Sequence, residues 1–580
     1  MSSEVRDSLI HLRPRDHTTY CGMGRTVMAA APDGFLYGRS DEGLWIYQTR
    51  MLSKYRWLIN GKQPEYSAAS PVEQHSWLGY YIAPLENCED AGFPDCSALQ
   101  QTLELRLTRS LGEGMHEDVD LANHTQISTR LKLELDVDSD FADPKEAQDG
   151  NRLQKGRLTR RWHDDGGGAW ELEFDYRAEH AYDHQGEKGI ARLHRGLKLR
   201  IENAGSSPRF HDGKIAFEIE LPPHGTWHAC VLCQAQVEDN PLPLEHGCYA
   251  IHGGEHEWER KRELFLRGAT RFAVPEEKTL AADFARILQR SRRDLIGLRL
   301  FDQDQGQQGW VPAAGLPTYV GLFGRDSLAS SWESLMLSAE MARGSMAALA
   351  RYQGRKVDEW RDEQPGCFPH ELHTNPLSVL NFDPHARYYG GITGSLYYPT
   401  VVAGLWHWTG DKDLVRPFVE PALRGLRWAE KFSDFDRDGF YEYMTLSEQG
   451  EKNQGWKDSD DAIVYRDGRQ AQDPLGTCEM QAFAYASKLH FSEVLWWLGE
   501  TDLAKKLYGE SQELRQRFNE KFWMEDEGYL AMGLDMNKRQ IDSVGSDPGH
   551  CLVSGIVDES LVPRVAHRLM QPDLFSGWGV

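Results

Sequence analysis

The spacing of apolar residues changes once along this 580-residue chain, near residue 275, and that change limits the fold more than any motif does. Before it, apolar and polar residues alternate. Leu103, Leu105 and Leu107 follow this pattern, and so do Leu131, Leu133, Leu135 and Val137, separated by Lys132, Glu134 and Asp136. Trp170, Leu172, Phe174 and Tyr176 repeat it, as do Ile215, Phe217, Ile219 and Leu221. A period of two puts successive side chains on opposite faces of a strand, so each run reads as a strand with one buried face. Turn signals separate the runs: Asp165-Gly166-Gly167-Gly168, Asn203-Ala204-Gly205 and Pro222-Pro223-His224-Gly225. Many such strands predict a large antiparallel β-sandwich over residues 1–275. From about residue 276 the period becomes helical. Leu280 to Leu300 predicts one long helix, and further helices are expected near 326–353, 397–410, 412–432, 478–499, 501–521 and 559–570. Paired helices with long loops between them predict an α/α barrel or an α-solenoid over 276–580. The absence of a short repeat disfavours a helical-repeat array.

Composition removes several classes of partner. The formal net charge is −24 and no Lys/Arg-rich block occurs, so neither nucleic acid nor an anionic membrane is expected as the main partner. Met1 to Arg15 lacks an apolar signal region, and no run of 18 apolar residues exists. Nine scattered cysteines, an odd number, fit a reduced, cytoplasmic protein. Cys230-Val231-Leu232-Cys233 is the one C-x-x-C pair, and no second pair follows at zinc-ligand spacing. No metal and no cofactor are expected.

The helical half carries the chemistry. Asn453-Gln454-Gly455-Trp456-Lys457-Asp458-Ser459 gathers an amide, an indole, a cation, an acid and a hydroxyl around one glycine. Such a run suits a sugar: an aromatic face for the C–H side of a ring, polar groups for hydroxyls, an acid for a glycosidic oxygen. Taken alone it also reads as a polar loop between helices. Arg325-Asp326 could bind vicinal hydroxyls through a donor fork and a bidentate acceptor, or Asp326 could serve as a helix cap. The loop holding His370, Glu371, His373, Asp383 and His385 fits no familiar metal spacing and reads as solvated or hydrogen-bonded histidines. Asp434-Phe435-Asp436-Arg437-Asp438-Gly439 opens like a calcium loop, but its twelfth position is Thr445 where a glutamate is needed, so it reads as an Asx-turn loop. Glu479 begins a helix and His550 follows a Ser546-Asp547-Pro548-Gly549 turn.

The order F-G-R-D-S (323–327), Y-Y-G (388–390), D-x-D-G-x-x-E-Y (436–443), N-Q-G-W-K-D-S (453–459), E-x-Q (479–481) and S-D-P-G-H (546–550) resembles bacterial glycogen-debranching-like proteins of the amylo-α-1,6-glucosidase type. The N-terminal half resembles their β-sandwich domain through Gln48 to Tyr55, Leu58-Ile59-Asn60-Gly61 and Gly114-Met115-His116-Glu117. The resemblance implies an (α/α)6 toroid, inverting cleavage of α-glucosidic bonds, and an oligosaccharide or polysaccharide partner. It implies that Asp458 is the general acid, that Arg325 and Asp326 bind the terminal sugar, and that Tyr389, Gln454, Trp456, Lys457 and Glu479 line its pocket. Two departures accompany it. After Y-Y-G the chain reads Gly391-Ile392-Thr393-Gly394, without the acidic residue relatives carry there. Relatives place the base beyond a S-G-W-G segment, which here is Ser576 to Gly579 beside the last residue, so the toroid is expected to be incomplete and the base to lie past Val580. A non-catalytic or impaired carbohydrate-binding protein, and a phosphorylase or epimerase of the same fold, are the alternatives.

Overall fold

The computed structural model describes residues 18–83 except 41, 103–164, 168, 170–244, 247–249, 257–273, 279–304 and 309–580. The N-terminal fifteen residues, most of the Asp165–Gly168 turn, Cys88 and Cys96 lie outside these. The alternating runs are strands. Leu103–Leu111, Thr129–Asp138, Trp170–His184 and Lys214–Leu221 each bury the predicted side. Among the described residues they belong to antiparallel sheets of nine and five strands, accompanied by a four-stranded sheet over Thr19–Leu52. One apolar core holds residues of all three, among them Met28, Leu105, Leu133, Leu199 and Phe217.

That core also contains a charge pair. Arg109 Nε donates to Glu117 Oε1 at 2.6 Å, and the two side chains are 1% and 0% exposed. Glu117 Oε2 accepts from Tyr55 Oη at 2.6 Å and Trp57 Nε1 at 2.7 Å, which come from the facing sheet. A buried carboxylate is tolerated when its lone pairs are filled in this way. The Met115-His116-Glu117 segment therefore joins the two layers of the sandwich.

The last strand of this region ends at Pro241, and helices α1 (Glu257–Gly268) and α2 (Thr279–Gly297) follow. The expected helix at 326–353 is two helices, α3 (Gly324–Glu333) and α4 (Glu340–Arg351). Serines mark the break. Ser334 Oγ donates to the Ser331 carbonyl at 3.2 Å, and Ser338 Oγ accepts from the Glu340 amide at 3.2 Å. Serine hydroxyls compete in this manner with the helical ladder. Two further hairpins pair α5 (Ile392–Thr409) with α6 (Lys412–Phe432), and α7 (Cys478–Leu498) with α8 (Thr501–Lys521). Gly410, at φ 63°, ends α5, and the Asp411 side chain caps α6 by accepting from the Asp413 amide at 2.9 Å. Helix α5 is buried on nearly every side and packs against α3, α6 and α7. Short helices α9 (Pro548–Ser554) and α10 (Val562–Leu569) follow. No described helix is long and apolar enough to cross a membrane.

The β region grips one loop of the helical region. Gln48 Nε2 meets His373 Nδ1 at 2.8 Å, and Gln48 Oε1 accepts from the Thr374 amide at 2.9 Å. Asp143 Oδ2 accepts from Asn375 Nδ2 and the Leu377 amide, at 2.6 and 3.0 Å. His180 stacks on Phe382 with ring centres 3.6 Å apart, and His184 on Trp360 at 3.8 Å. The loop so fixed, residues 370–387, forms one wall of the site.

Candidate active site

A cavity of about 440 Å³ opens where the start of α3, the 370–387 loop and the 451–459 loop meet. Its walls are Ala314, Tyr319, Phe323, Arg325, Asp326, His370, Glu371, Glu451, Asp458 and Ser459.

Asp458 stands at its mouth with 36% of its side chain exposed. Arg325 organises it. Nη2 donates to Asp458 Oδ2 at 2.9 Å, while Nη1 donates to the Trp456 carbonyl at 2.6 Å and reaches that of Gly455 at 3.3 Å. The same guanidinium lies 5.4 Å from the Trp456 ring centre. One arginine thus holds both the acid and the backbone that carries it, a use of the planar fork that lysine cannot copy. Asp326 differs: its Oδ2 is buried and accepts no hydrogen bond among the described residues, with Arg325 Nε 3.7 Å away. Asp326 lines the cavity with its side chain 34% exposed, so what it offers a ligand is not the enclosed Oδ2.

The motif loop rests on α7. Glu479 is buried, and its Oε1 accepts from the Trp456 amide at 3.1 Å and from Thr477 Oγ1. Burial, reinforced by nearby Asp547, pushes the Glu479 carboxyl up. A Cβ at position 455 would sit 2.8 Å from Glu479 Oε1, so the close approach requires Gly455. Asn453 closes the loop, its Nδ2 donating to the Ser459 carbonyl at 2.7 Å and its Oδ1 accepting from Tyr443 Oη at 2.9 Å. Lys457 turns away from the cavity and pairs with buried Asp547 at 2.9 Å. Trp456 packs between Arg325, Phe483 and His550, with the His550 ring centre 4.2 Å distant.

The opposite wall is a carboxylate–histidine cluster. Glu371 accepts from His373 Nε2 at 2.9 Å and is hydrogen-bonded to His385 Nδ1. Burial would raise its pKa, but His373 and His385 outweigh burial and hold the carboxyl well below its ordinary range. Burial likewise opposes charge on His385, yet the Glu371 carboxylate lifts it to about 9. His370 is buried and pushed down by desolvation. Glu451 is pushed up by burial.

The structure therefore brings Arg325, Asp326 and Asp458 to one cavity, with Trp456 and Glu479 supporting them from behind. Tyr389 and Gln454 lie elsewhere. They line a separate cavity of about 60 Å³, where Gln454 Nε2 donates to Asp362 Oδ2 at 3.3 Å and Tyr389 Oη donates to the Tyr352 carbonyl at 2.7 Å. Glu451 is a wall residue that motif reasoning passed over, though it stands two residues before Asn453. The calcium-like loop is filled by a side chain: Lys538 Nζ lies 3.1 Å from Asp436 Oδ2 and 3.0 Å from Asp438 Oδ2, and contacts Glu442.

Comparison with known proteins bears on the N-terminal part first. Residues 23–232 match the family of the N-terminal domain of (some) glycogen debranching enzymes. That segment includes Gln48, Asp143, His180 and His184, which hold the 370–387 loop. No curated protein matches the chain. Among solved structures, a bacterial glucoamylase complexed with acarbose is similar at 8% identity and TM-score 0.46, over 96% of this chain and 80% of that one. A putative kojibiose phosphorylase from human microbiome is similar at 11% identity and TM-score 0.43, over 89% and 69%. A GH78 family rhamnosidase of Bacillus sp. GL1 is similar at 9% and 0.36; this chain, aligned over 80% of its length, spans only 38% of the rhamnosidase.

Proposed function

We propose that this protein is a glycoside hydrolase of the amylo-α-1,6-glucosidase type, cleaving α-glucosidic bonds with inversion, and that Asp458 is its general acid. The observation that carries the reading is the composition of the 440 Å³ cavity. Asp458 is held at the cavity by Arg325, Asp326 adds a second carboxylate to the wall, and Tyr319 and Phe323 supply aromatic faces. That is the complement of a sugar ring beside a bond to be protonated. The match of residues 23–232 to a domain of glycogen debranching enzymes supports the substrate class.

In this mechanism the sugar hydroxyls hydrogen-bond to Asp326, and Asp458, whose Oδ2 faces Arg325, first takes a proton from solvent on Oδ1 and then gives it to the leaving oxygen. Inversion requires a second carboxyl roughly 6.5–9.5 Å from the first to activate water. Glu371 is committed to two histidines, which leaves Glu451 as the wall carboxyl to interrogate. Phosphorolysis is disfavoured, because four carboxyls face the cavity and Arg325 is already occupied.

The test is glucose release from isomaltose, maltose and a branched glucan, with and without phosphate, and NMR detection of the first anomer formed. Asp458→Asn is expected to lose about 10²–10⁴ in turnover while binding sugar in calorimetry. Near-normal hydrolysis by that variant removes Asp458 from the role. Sugar binding without hydrolysis by the unmodified chain would favour the binding-protein alternative, and release only with phosphate the phosphorylase. Glu451→Gln decides whether the second carboxyl belongs to this cavity.

A further inference from the structure

A second cluster of chemically distinctive side chains lies in the β region, and none of its members lines the Asp458 cavity. Strands Gly114–Asn123 and Thr226–Val237 are antiparallel neighbours whose register sets Asp118 opposite Cys230 and Asp120 opposite His228. Met115, Val119, Leu121, Ala229, Val231 and Cys233 face the apolar core, so the alternate positions put Asp118, Asp120, His228 and Cys230 together on the other face. Cys248 and Tyr249 lie over that face. His228 Nε2 is 3.3 Å from Cys230 Sγ and 3.2 Å from Cys248 Sγ. Asp118 Oδ1 is 3.5 Å from Cys230 Sγ and 4.0 Å from His228 Nε2. Ligand atoms of all four residues lie within 4.8 Å of one another.

We propose that Asp118, His228, Cys230 and Cys248 form a structural zinc site. Zinc takes four N, S or O donors at about 2.0–2.3 Å in a tetrahedron, whose edges are then about 3.3–3.8 Å. The four measured separations straddle that range. Two thiols and an imidazole select zinc over magnesium or calcium, which prefer oxygen. The surroundings match what a zinc-bound histidine requires. His228 Nδ1 is 2.9 Å from Asp120 Oδ1, which fixes the ring with Nε2 toward the thiols, the carboxylate–histidine arrangement that orients metal ligands. Arg106 Nη2 donates to the other oxygen of Asp120 at 2.8 Å. The Tyr249 amide is 3.1 Å from Asp118 Oδ2, so the segment bearing Cys248 is already docked on the carboxylate.

Binding is a proton balance and no electron moves. Cys230 and Cys248 each release a thiol proton to solvent, His228 binds neutral through Nε2, and Asp118 binds as carboxylate. Asp118 and Cys230 are buried while Cys248 is exposed, so the ion enters from the Cys248 side. Sequence spacing alone hides the site. Cys230 and Cys233 are an odd number of residues apart on a strand and face opposite ways, so the visible C-x-x-C is not the ligand pair.

The experiment uses the full chain, purified in reductant. Metal analysis after expression with zinc is expected to find about one zinc per chain. Replacement by Co²⁺ is expected to give a thiolate-to-cobalt charge-transfer band, and a chelator to lower the melting temperature. Cys248→Ser, at an exposed position, is expected to weaken zinc and cobalt binding and to reduce the band to what Cys230 alone gives, without unfolding the protein. Asp120→Asn is expected to weaken zinc about 10–100-fold. Glucosidase turnover in both variants is expected to be unchanged at low temperature. Absence of zinc from the reduced chain overturns the proposal, as does equal zinc affinity in Cys248→Ser. Recovery of a Cys230–Cys248 disulfide from the reduced protein by peptide mapping overturns it as well.

Discussion

Each half of the molecule contains an arginine–carboxylate pair, and the two behave as opposites. In the β region Arg109 and Glu117 meet at 2.6 Å and are sealed, at 1% and 0% exposure. Both carboxylate oxygens are filled, and the guanidinium lies 4.8 Å from the ring centre of Trp77. In the helical region Arg325 and Asp458 meet at 2.9 Å but are 17% and 36% exposed beside a cavity. The first pair is closed off from any outside partner, although Arg109 Nη2 itself finds no acceptor among the described residues. The second keeps lone pairs for one. Closure of the shell, more than the identity of the ions, separates a structural pair from a working one.

The same substitution made in both places tests that difference. Arg109→Met leaves Glu117 charged in an apolar core and is expected to cost about 3–5 kcal/mol, read from urea unfolding. A loss below about 1 kcal/mol would show that Tyr55 and Trp57 suffice for Glu117. Arg325→Met is expected to change stability by no more than about 1 kcal/mol, because its pair is partly solvated. Its glucose release is expected to fall about 100-fold, since the acid and the Gly455–Trp456 backbone lose their common anchor. If Arg325→Met instead unfolds the protein while keeping its specific activity, the contrast between the two pairs collapses.

Much of this arrangement was legible in the sequence. Strand alternation exposed the sandwich because one face of each strand meets a common core, and the helices expected at 397–410 and 412–432 meet where Gly410 ends α5 and Asp411 caps α6. Arg325, Asp326 and Asp458 were visible because each is set in a local motif. The rest depends on partners distant in sequence. Nothing near Asp434 shows that Lys538, about a hundred residues later, occupies its loop. Nothing near Glu371 shows that Gln48 and Asp143 fix its loop. Tyr389 and Gln454 belong to the same motif set as Asp458 but turn to another cavity, since strand and loop direction is set by packing. Asp118 and Cys230 meet only through strand register.

The Glu371–His385 pair lies between the two extremes, with buried Glu371 on the cavity wall and part-buried His385 behind it, and its titration gives the next test. His385 is raised from 6.5 to about 9 in the folded protein. A folded pKa above the unfolded one means that the stabilisation is complete below about pH 6.5 and is lost as pH rises through about 9. The chain is therefore expected to lose on the order of 1–3 kcal/mol between those values, and His385→Gln to flatten that slope. An unchanged slope in His385→Gln would assign the loss to other groups.

The smallest effect is expected at Lys538, where a cation and three carboxylates meet at the surface. Its side chain is 25% exposed, those of its partners Asp436 and Asp438 are 50% and 32% exposed, and that of Glu442 is 4% exposed. Lys538→Met would leave three carboxylates facing one another, one of them buried. Partial solvation limits the cost to about 1 kcal/mol, well short of the Arg109 case. The repulsion between exposed Asp436 and Asp438 acts through solvent, so that part is expected to shrink as salt rises from about 0.01 to 1 M, where the screening length falls from about 30 to 3 Å. Melting curves at the two salt concentrations check this. A loss independent of salt would mean that Lys538 acts through its contact with buried Glu442 alone, placing this cluster with the sealed pair and not with the open one.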